Sequence, residues 1–186
     1  PFVSCNYAPL FAKINFVEFD TFASIRSITA QAVAAGYSKI ALFFPGRLEG
    51  YKDYILDEWN KIKKDFQLPF MPCDKFQFDR RDPGCKIWYD FQAELEKQAV
   101  KPEVIINWVT IRHPIPDYCL IIGRTFENIM YPPNVIGIQG RNQQLIIYKG
   151  YELLLELISA PVKRTVHRFY EHEIELLKEI PKRKIK

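Results

Sequence analysis

Long apolar runs are missing from this chain of 186 residues. The longest, such as Ile40 to Pro45, are the length of a strand and fall well short of the roughly 20 residues a membrane helix needs. The amino-terminus has no basic segment leading into a long apolar one, so no signal peptide is expected. Cysteine is scarce, and none of Cys5, Cys73, Cys85 and Cys119 stands in a C-x-x-C pair. That argues against a zinc site and for a reduced, cytosolic setting, although spacing leaves a Cys73–Cys85 disulfide open. Histidine is scarcer still. His167 and His172 would fall on opposite faces of a strand, which suits neither a metal nor a catalytic pair, so both read as surface or edge residues. His113, between Arg112 and Pro114, reads as a loop residue within reach of a ligand.

Glycine motifs are absent as well. There is no G-x-G-x-x-G, no P-loop and no G-x-S-x-G elbow, so no nucleotide cofactor and no acyl-transfer nucleophile are expected. Asp20, Glu49 and Asp53 have the chemistry of acids or bases in a doubly wound enzyme, but solvated or capping carboxylates are far commoner. The net charge of +4 owes much to Lys182, Arg183, Lys184 and Lys186. Such a tail, over 176–186, reads as solvated and mobile. No basic stripe interleaved with aromatics exists elsewhere, so this segment is not itself an obvious DNA reader. The chain opens on Pro1, and further sequence upstream is expected.

What is present is a sequence that should fold, with enough apolar residues for one core or two small lobes. Phe2 to Asn6 and Asn15 to Asp20 read as strands. Phe16, Val17 and Phe19 are all apolar, which suits a strand buried on both faces of a parallel sheet. Asp20 or Thr21 caps a helix carrying Ile25, Ile28, Ala32 and Val33 on one face, and Gly36 stops it. Lys39 to Phe44 is a strand. Glu49 to Phe66 is a helix with Tyr51, Tyr54, Ile55, Trp59, Ile62 and Phe66 in one stripe. A loop region with a short strand around Phe76 and Phe78 leads to a helix defined by Ile87, Phe91, Leu95 and Ala99. Val104 to Val109 is a strand. Pro114 and Pro116 open a further helix with Tyr118, Ile121, Ile122, Phe126 and Ile129. Val135 to Ile138 is a strand, Leu145 to Ile158 a helix and Thr165 to Tyr170 a last strand. This alternation predicts a doubly wound α/β protein with parallel sheets. Ligands of such sheets bind beyond the carboxyl ends of the strands, so the residues after Phe44, Val109 and Ile138 are the places to look for a site.

Two stretches carry a family resemblance. The first is NFVEFDTFASIRSITAQAVAAGYSKIALFFPGRLEGYKDYILDEW, from Asn15 to Trp59. A strand ends in Asp20, a helix reaches Gly36 and Ile40, and after the next strand come Arg47, Gly50 and Tyr51, in an R-x-x-G-[FYW] pattern. The second runs from Lys101 to Ile158, with Pro102 to Ile106, Val135 to Gly137 and the returning helix from Glu152 to Ile158. In this order the elements resemble the effector-binding core of lactose-repressor/galactose-repressor transcriptional regulators.

The resemblance implies a two-lobe, periplasmic-binding-protein-like fold with the first lobe incomplete. Residues 1–20 and 139–161 would form the first lobe, and 21–138 with 162–175 the second. It implies a sugar-like effector in an inter-lobe cleft, a homodimer, and DNA bound through an upstream head. Arg47 would grip the effector, since its guanidinium offers a planar fork of donors. Where the family usually has an Asp after the strand ending at Ile138, this chain has Gln139. Where it commonly has Asn-Asp, this chain has Val109 and Thr110. Arg141 and Asn142 stand in a shortened loop, and Trp108 has a face for stacking, though a core role suits it equally. The expected ligand-facing set is therefore Arg47, Gln139, Trp108, Thr110, Asp20, Arg141 and Asn142. These departures put a simple hexose in doubt. A periplasmic sugar-binding protein of a transport system is the alternative with the same fold.

Overall fold

The computed structural model describes residues 2–5, 14–44, 51–71, 85–111, 115–125, 129–140, 142, 144–160 and 165–183. The chain forms two compact units, one of residues 1–24 and 140–175, the other of 25–139 and 176–186, so it passes between them three times.

The first unit holds a three-stranded sheet in the order β1 (Val3–Cys5), β2 (Asn15–Phe19), β7 (His167–Tyr170). Both pairings are parallel, with Val3 opposite Asn15 and Phe16 opposite His167. One face carries Val17 and Phe19, which pack with Ile146, Leu153 and Leu157 of helix α4 (Leu145–Ser159). Gly150 lets that helix come close, because a Cβ there would sit 2.3 Å from the Cys5 sulfur. The other face carries Phe16, which lies against His167 with ring centres 4.1 Å apart and planes tilted by 30°, and meets Phe169 edge-on.

The second unit is built on a five-stranded sheet in the order β3 (Ile40–Phe43), β4 (Val104–Thr110), β5 (Leu120–Arg124), β6 (Val135–Gly140), β8 (Ile174–Leu176). From β3 to β6 every pairing is parallel. These strands are apolar at successive positions because both faces are covered, the arrangement that parallel sheets require. Ala41, Phe43, Ile105, Ile121 and Val135 join Ile87, Trp88, Phe91 and Leu95 of helix α3 (Cys85–Glu96) in one core. The alternate residues Ile40, Leu42, Val104, Ile106, Leu120 and Ile122 are buried too. Helix α1 (Thr21–Ala34) adds Ile25, Ile28 and Ala32, and helix α2 (Tyr51–Asp65) adds Ile55, Trp59 and Ile62. Gly36 ends the α1 turn with φ of 95°, where a side chain would be strained.

Three expectations need correction. The segment from Pro114 to Ile129 is not one helix, since Leu120–Arg124 is strand β5. Apolar residues at 121 and 122 fit either period. The continuous Leu-Ile-Ile run, buried on both faces, belongs to a central strand. The stretch 162–175, expected in the second lobe, is divided: His167–Tyr170 pairs with β2 in the first sheet, whereas Ile174 opens β8 of the second. The basic tail is not free either. The Leu177 amide donates to the Gly137 carbonyl at 2.9 Å and the Arg183 amide to the Ala35 carbonyl at 2.9 Å. The Arg183 guanidinium pairs with Glu103, whose carboxylate also accepts from the Ser38 and Lys39 amides. The strand expected around Phe76 and Phe78, and Cys73, lie outside the described residues.

Close approach of β4 and β5 makes Gly123 a test of the sheet. A Cβ at Gly123 would lie 2.4 Å from the Asn107 carbonyl oxygen and 3.1 Å from the Asn107 Cβ, and backbone cannot swing away as a side chain can. Gly123→Ala should lower the unfolding free energy by about 2–3 kcal/mol, as overpacking in a rigid core does. Urea unfolding of both proteins checks this, and an unchanged midpoint would refute the register drawn here.

Candidate functional site

Because β3 to β6 run parallel, their carboxyl ends lie on one edge of the second sheet. Four of the described side chains there bear on a ligand site. Phe44 follows β3. Trp108 lies near the end of β4, Arg124 closes β5, and Gln139 lies at the end of β6. The pairing of β4 with β5 shifts register between Asn107, opposite Gly123, and Thr110, opposite Arg124. Trp108 and Val109 are therefore extra residues in a bulge, a device that re-aims side chains at the end of a strand. The Ile111 amide donates to the Arg124 carbonyl at 2.7 Å and closes the distorted stretch.

The bulge places Trp108 between two partners. Its ring is parallel to that of Phe44, within 4° and with centroids 6.5 Å apart. The Arg124 guanidinium carbon lies 5.7 Å from the Trp108 ring centre. Trp108 itself is only 8% exposed, so it serves as a platform more than as an open stacking face. Arg124 is exposed, yet the chain around it excludes enough water to lower its guanidinium below the ordinary value. No carboxylate among the described residues pairs with it, whereas Arg26, Arg168 and Arg183 each hold one. Gln139 is exposed, with both amide functions available. No group of three metal-ligating side chains occurs among the described residues.

In the first unit the expected site residues are already employed. Asp20 caps α1, accepting from the Ala23 amide at 2.9 Å, and its own amide donates to the Tyr170 carbonyl at 2.8 Å. Asn142 donates to the Glu171 carbonyl and accepts from the Glu173 amide, each at 3.1 Å, so both ends of its side chain are satisfied by backbone. These two residues thus fix the 170–173 segment. His172, expected at the surface, is buried and stacks on Phe19 at 4.3 Å. Glu18, which the sequence did not single out, is raised from the ordinary 4.5 to about 7, first by burial and then by the neighbouring Asp20 charge.

Comparison with known proteins is informative only at the level of structure. No protein-family model matches the chain, and no curated protein does. Among solved structures, an uncharacterized protein from Actinobacillus succinogenes superposes with a TM-score of 0.64 at 19% identity, covering 96% of this chain and 68% of its own. A protein of Bacillus cereus subsp. cytotoxis assigned to the LacI regulators gives a TM-score of 0.68 at 15% identity, over 99% of this chain and 69% of its own. A LacI family transcriptional regulator from Enterococcus faecium, with bound ribose, gives 0.59 at 17%, over 98% and 70%. The fold is that of LacI-family regulators. It is the periplasmic-binding-protein-like arrangement expected from the sequence, with parallel sheets in both units.

Within this LacI-type fold the expected site residues divide. Trp108 and Gln139 share the carboxyl edge, and the Thr110 backbone lies there too, opposite Arg124. Asp20 and Asn142 belong to the other unit. Arg47, Arg141 and His113, and the Thr110 side chain, lie outside the described residues. Phe44 and Arg124, which also stand at this edge, were not among the expected residues. Reading Pro114 to Ile129 as a helix hid the strand end on which Arg124 stands.

Glu18 gives the first unit a pH signature. With its folded value raised, its contribution to stability is complete below pH 4.5 and is lost as pH rises through about 7. The loss should be on the order of 1–2 kcal/mol after solvent screening. Glu18→Gln should flatten the fall in thermal stability between pH 5 and pH 8. An identical slope in both proteins would contradict the burial of this carboxyl.

Proposed function

We propose that this chain is the effector-binding core of a bacterial transcriptional regulator, sensing a small polar, sugar-like molecule and performing no catalysis. What supports this reading is the carboxyl edge of the second sheet in a LacI-type fold, where Trp108 and Arg124 meet and Gln139 stands at the end of the adjoining strand. Carboxyl ends of parallel strands are where such folds hold ligands, since neighbouring loops diverge there and leave a crevice. An indole, a guanidinium and an amide together supply the apolar surface and the donors that a polyhydroxyl ligand needs. The ribose bound by the Enterococcus faecium regulator supports the choice of ligand class.

On this reading the protein works in the cytoplasm as a homodimer, and its ligand controls a DNA-binding head outside the present sequence. Among the described residues no helix is long and apolar enough to cross a membrane. The ligand acts only through its differential affinity for the DNA-bound and released states. The motifs of nucleotide and acyl-transfer chemistry are missing from the sequence, which favours sensing over turnover.

Calorimetry of the natural full-length protein against a panel of aldopentoses, hexoses and their charged derivatives tests the proposal. At least one should bind, and should change the affinity of the protein for DNA upstream of its own gene. Gln139→Ala should weaken that binding about tenfold, the cost of one lost hydrogen bond, with an unchanged unfolding midpoint. If no member of the panel binds, or if the ligand leaves DNA affinity unaltered, the proposal is wrong.

A further inference from the structure

The four arginines among the described residues are not used alike. Arg26 pairs with Asp65, Arg168 grips Glu156 through both nitrogens, and Arg183 pairs with Glu103. Arg124 alone among them has neither an acidic partner nor a side-chain hydrogen bond to a described residue. Its one contact of note is the Trp108 ring, 5.7 Å away.

That contact leaves its chemistry open. A guanidinium near an indole is attracted through its charge to the π-system of the ring. That attraction takes up none of its N–H donors. An arginine held in this way keeps a fork of donors set for two oxygens of one planar or tetrahedral anion. Trp108 also removes rotational freedom that a solvated arginine would have to give up on binding. Phe44 backs the indole from a third strand, so the platform is fixed by β3, β4 and β5 together.

Of the described side chains at the ends of β3, β4 and β6, Phe44, Trp108 and Gln139 are neutral. In the sequence, the four positions after the last residues of β3 to β6 hold Arg47, Arg112 and Arg141 and one acid, Glu127, all outside the described residues. A cation partly stripped of water and without an acidic partner among the described residues is costly in a binding site for a neutral sugar. It is favourable where the ligand brings the counter-charge.

We infer that the ligand of this edge carries an oxyanion, a carboxylate or a phosphate on a sugar-like body, and that Arg124 is the residue that binds it. This rests on the sensor reading above and narrows its ligand class. It also makes sense of Gln139, whose neutral amide avoids placing a negative charge beside the ligand's own.

Calorimetry with matched probes tests it. Glucose, glucuronate and glucose 6-phosphate form one set, and ribose with ribose 5-phosphate another. The anionic member of at least one set should bind at least tenfold more tightly than its neutral parent. Whether carboxylate or phosphate wins tells which oxyanion the site takes. Arg124→Gln should abolish that preference by weakening the anionic member far more than its neutral parent, while Arg124→Lys should retain part of it. Since Arg124 is exposed, both variants should unfold at the urea concentration of the parent. A preference that persists in Arg124→Gln overturns the assignment to this residue. Neutral sugars binding as well as their anionic partners overturns the oxyanion inference and leaves the sensor reading standing. If nothing in either set binds, both fail.

Discussion

Parallel register across β3, β4, β5 and β6 is the constraint on which the candidate edge depends. Only parallel strands deliver all their carboxyl ends to one side, and so only this pairing gathers Phe44, Trp108, Arg124 and Gln139 from four separate stretches of chain. The register is enforced by sterics as much as by hydrogen bonds. Gly123 fits against the Asn107 carbonyl with no room for a side chain. Immediately beyond that tight point β4 bulges and the pairing loosens. The tight contact and the bulge act in series. One pins the strands, and the other turns Trp108 out of the regular alternation to meet Arg124.

The two units spend their polar groups differently. In the first, Asp20 and Asn142 satisfy backbone amides and carbonyls, and the work they do is structural. At the carboxyl edge of the second, Arg124 and Gln139 have their hydrogen-bonding capacity unspent among the described residues. Buried polar groups normally find partners within the protein. A charged group that is partly desolvated and still lacks one marks a place where the partner comes from outside. At the opposite, amino edge of the same sheet, by contrast, Glu103 is fully engaged by Ser38, Lys39 and Arg183.

Much of this fold was legible in the sequence, because long periodic segments and buried strands announce themselves. Ile25, Ile28 and Ala32 fixed one face of α1, Gly36 its end, and the apolar run from Ile40 its following strand. The family resemblance pointed to the right architecture at a level of identity too low for a family model to register. What could not be read was local and depended on tertiary context. Leu120, Ile121 and Ile122 satisfy a helical stripe and a buried strand equally well, and only their pairing with β4 decides between them. That ambiguity concealed Arg124, which as a helical residue would have been one more solvated cation. Asp20 and Asn142 show a different ambiguity. Their residue types suit ligands and caps alike, and the backbone nearest to them claimed both.

Amide hydrogen exchange with and without a saturating sugar ligand probes the central claim most directly. Protection should appear in peptides that contain the carboxyl ends of β3, β4, β5 and β6, around 44, 108–111, 124–125 and 139–140. Protection confined instead to the amino ends of those strands, around 38–40, 101–104, 117–120 and 132–135, would contradict it.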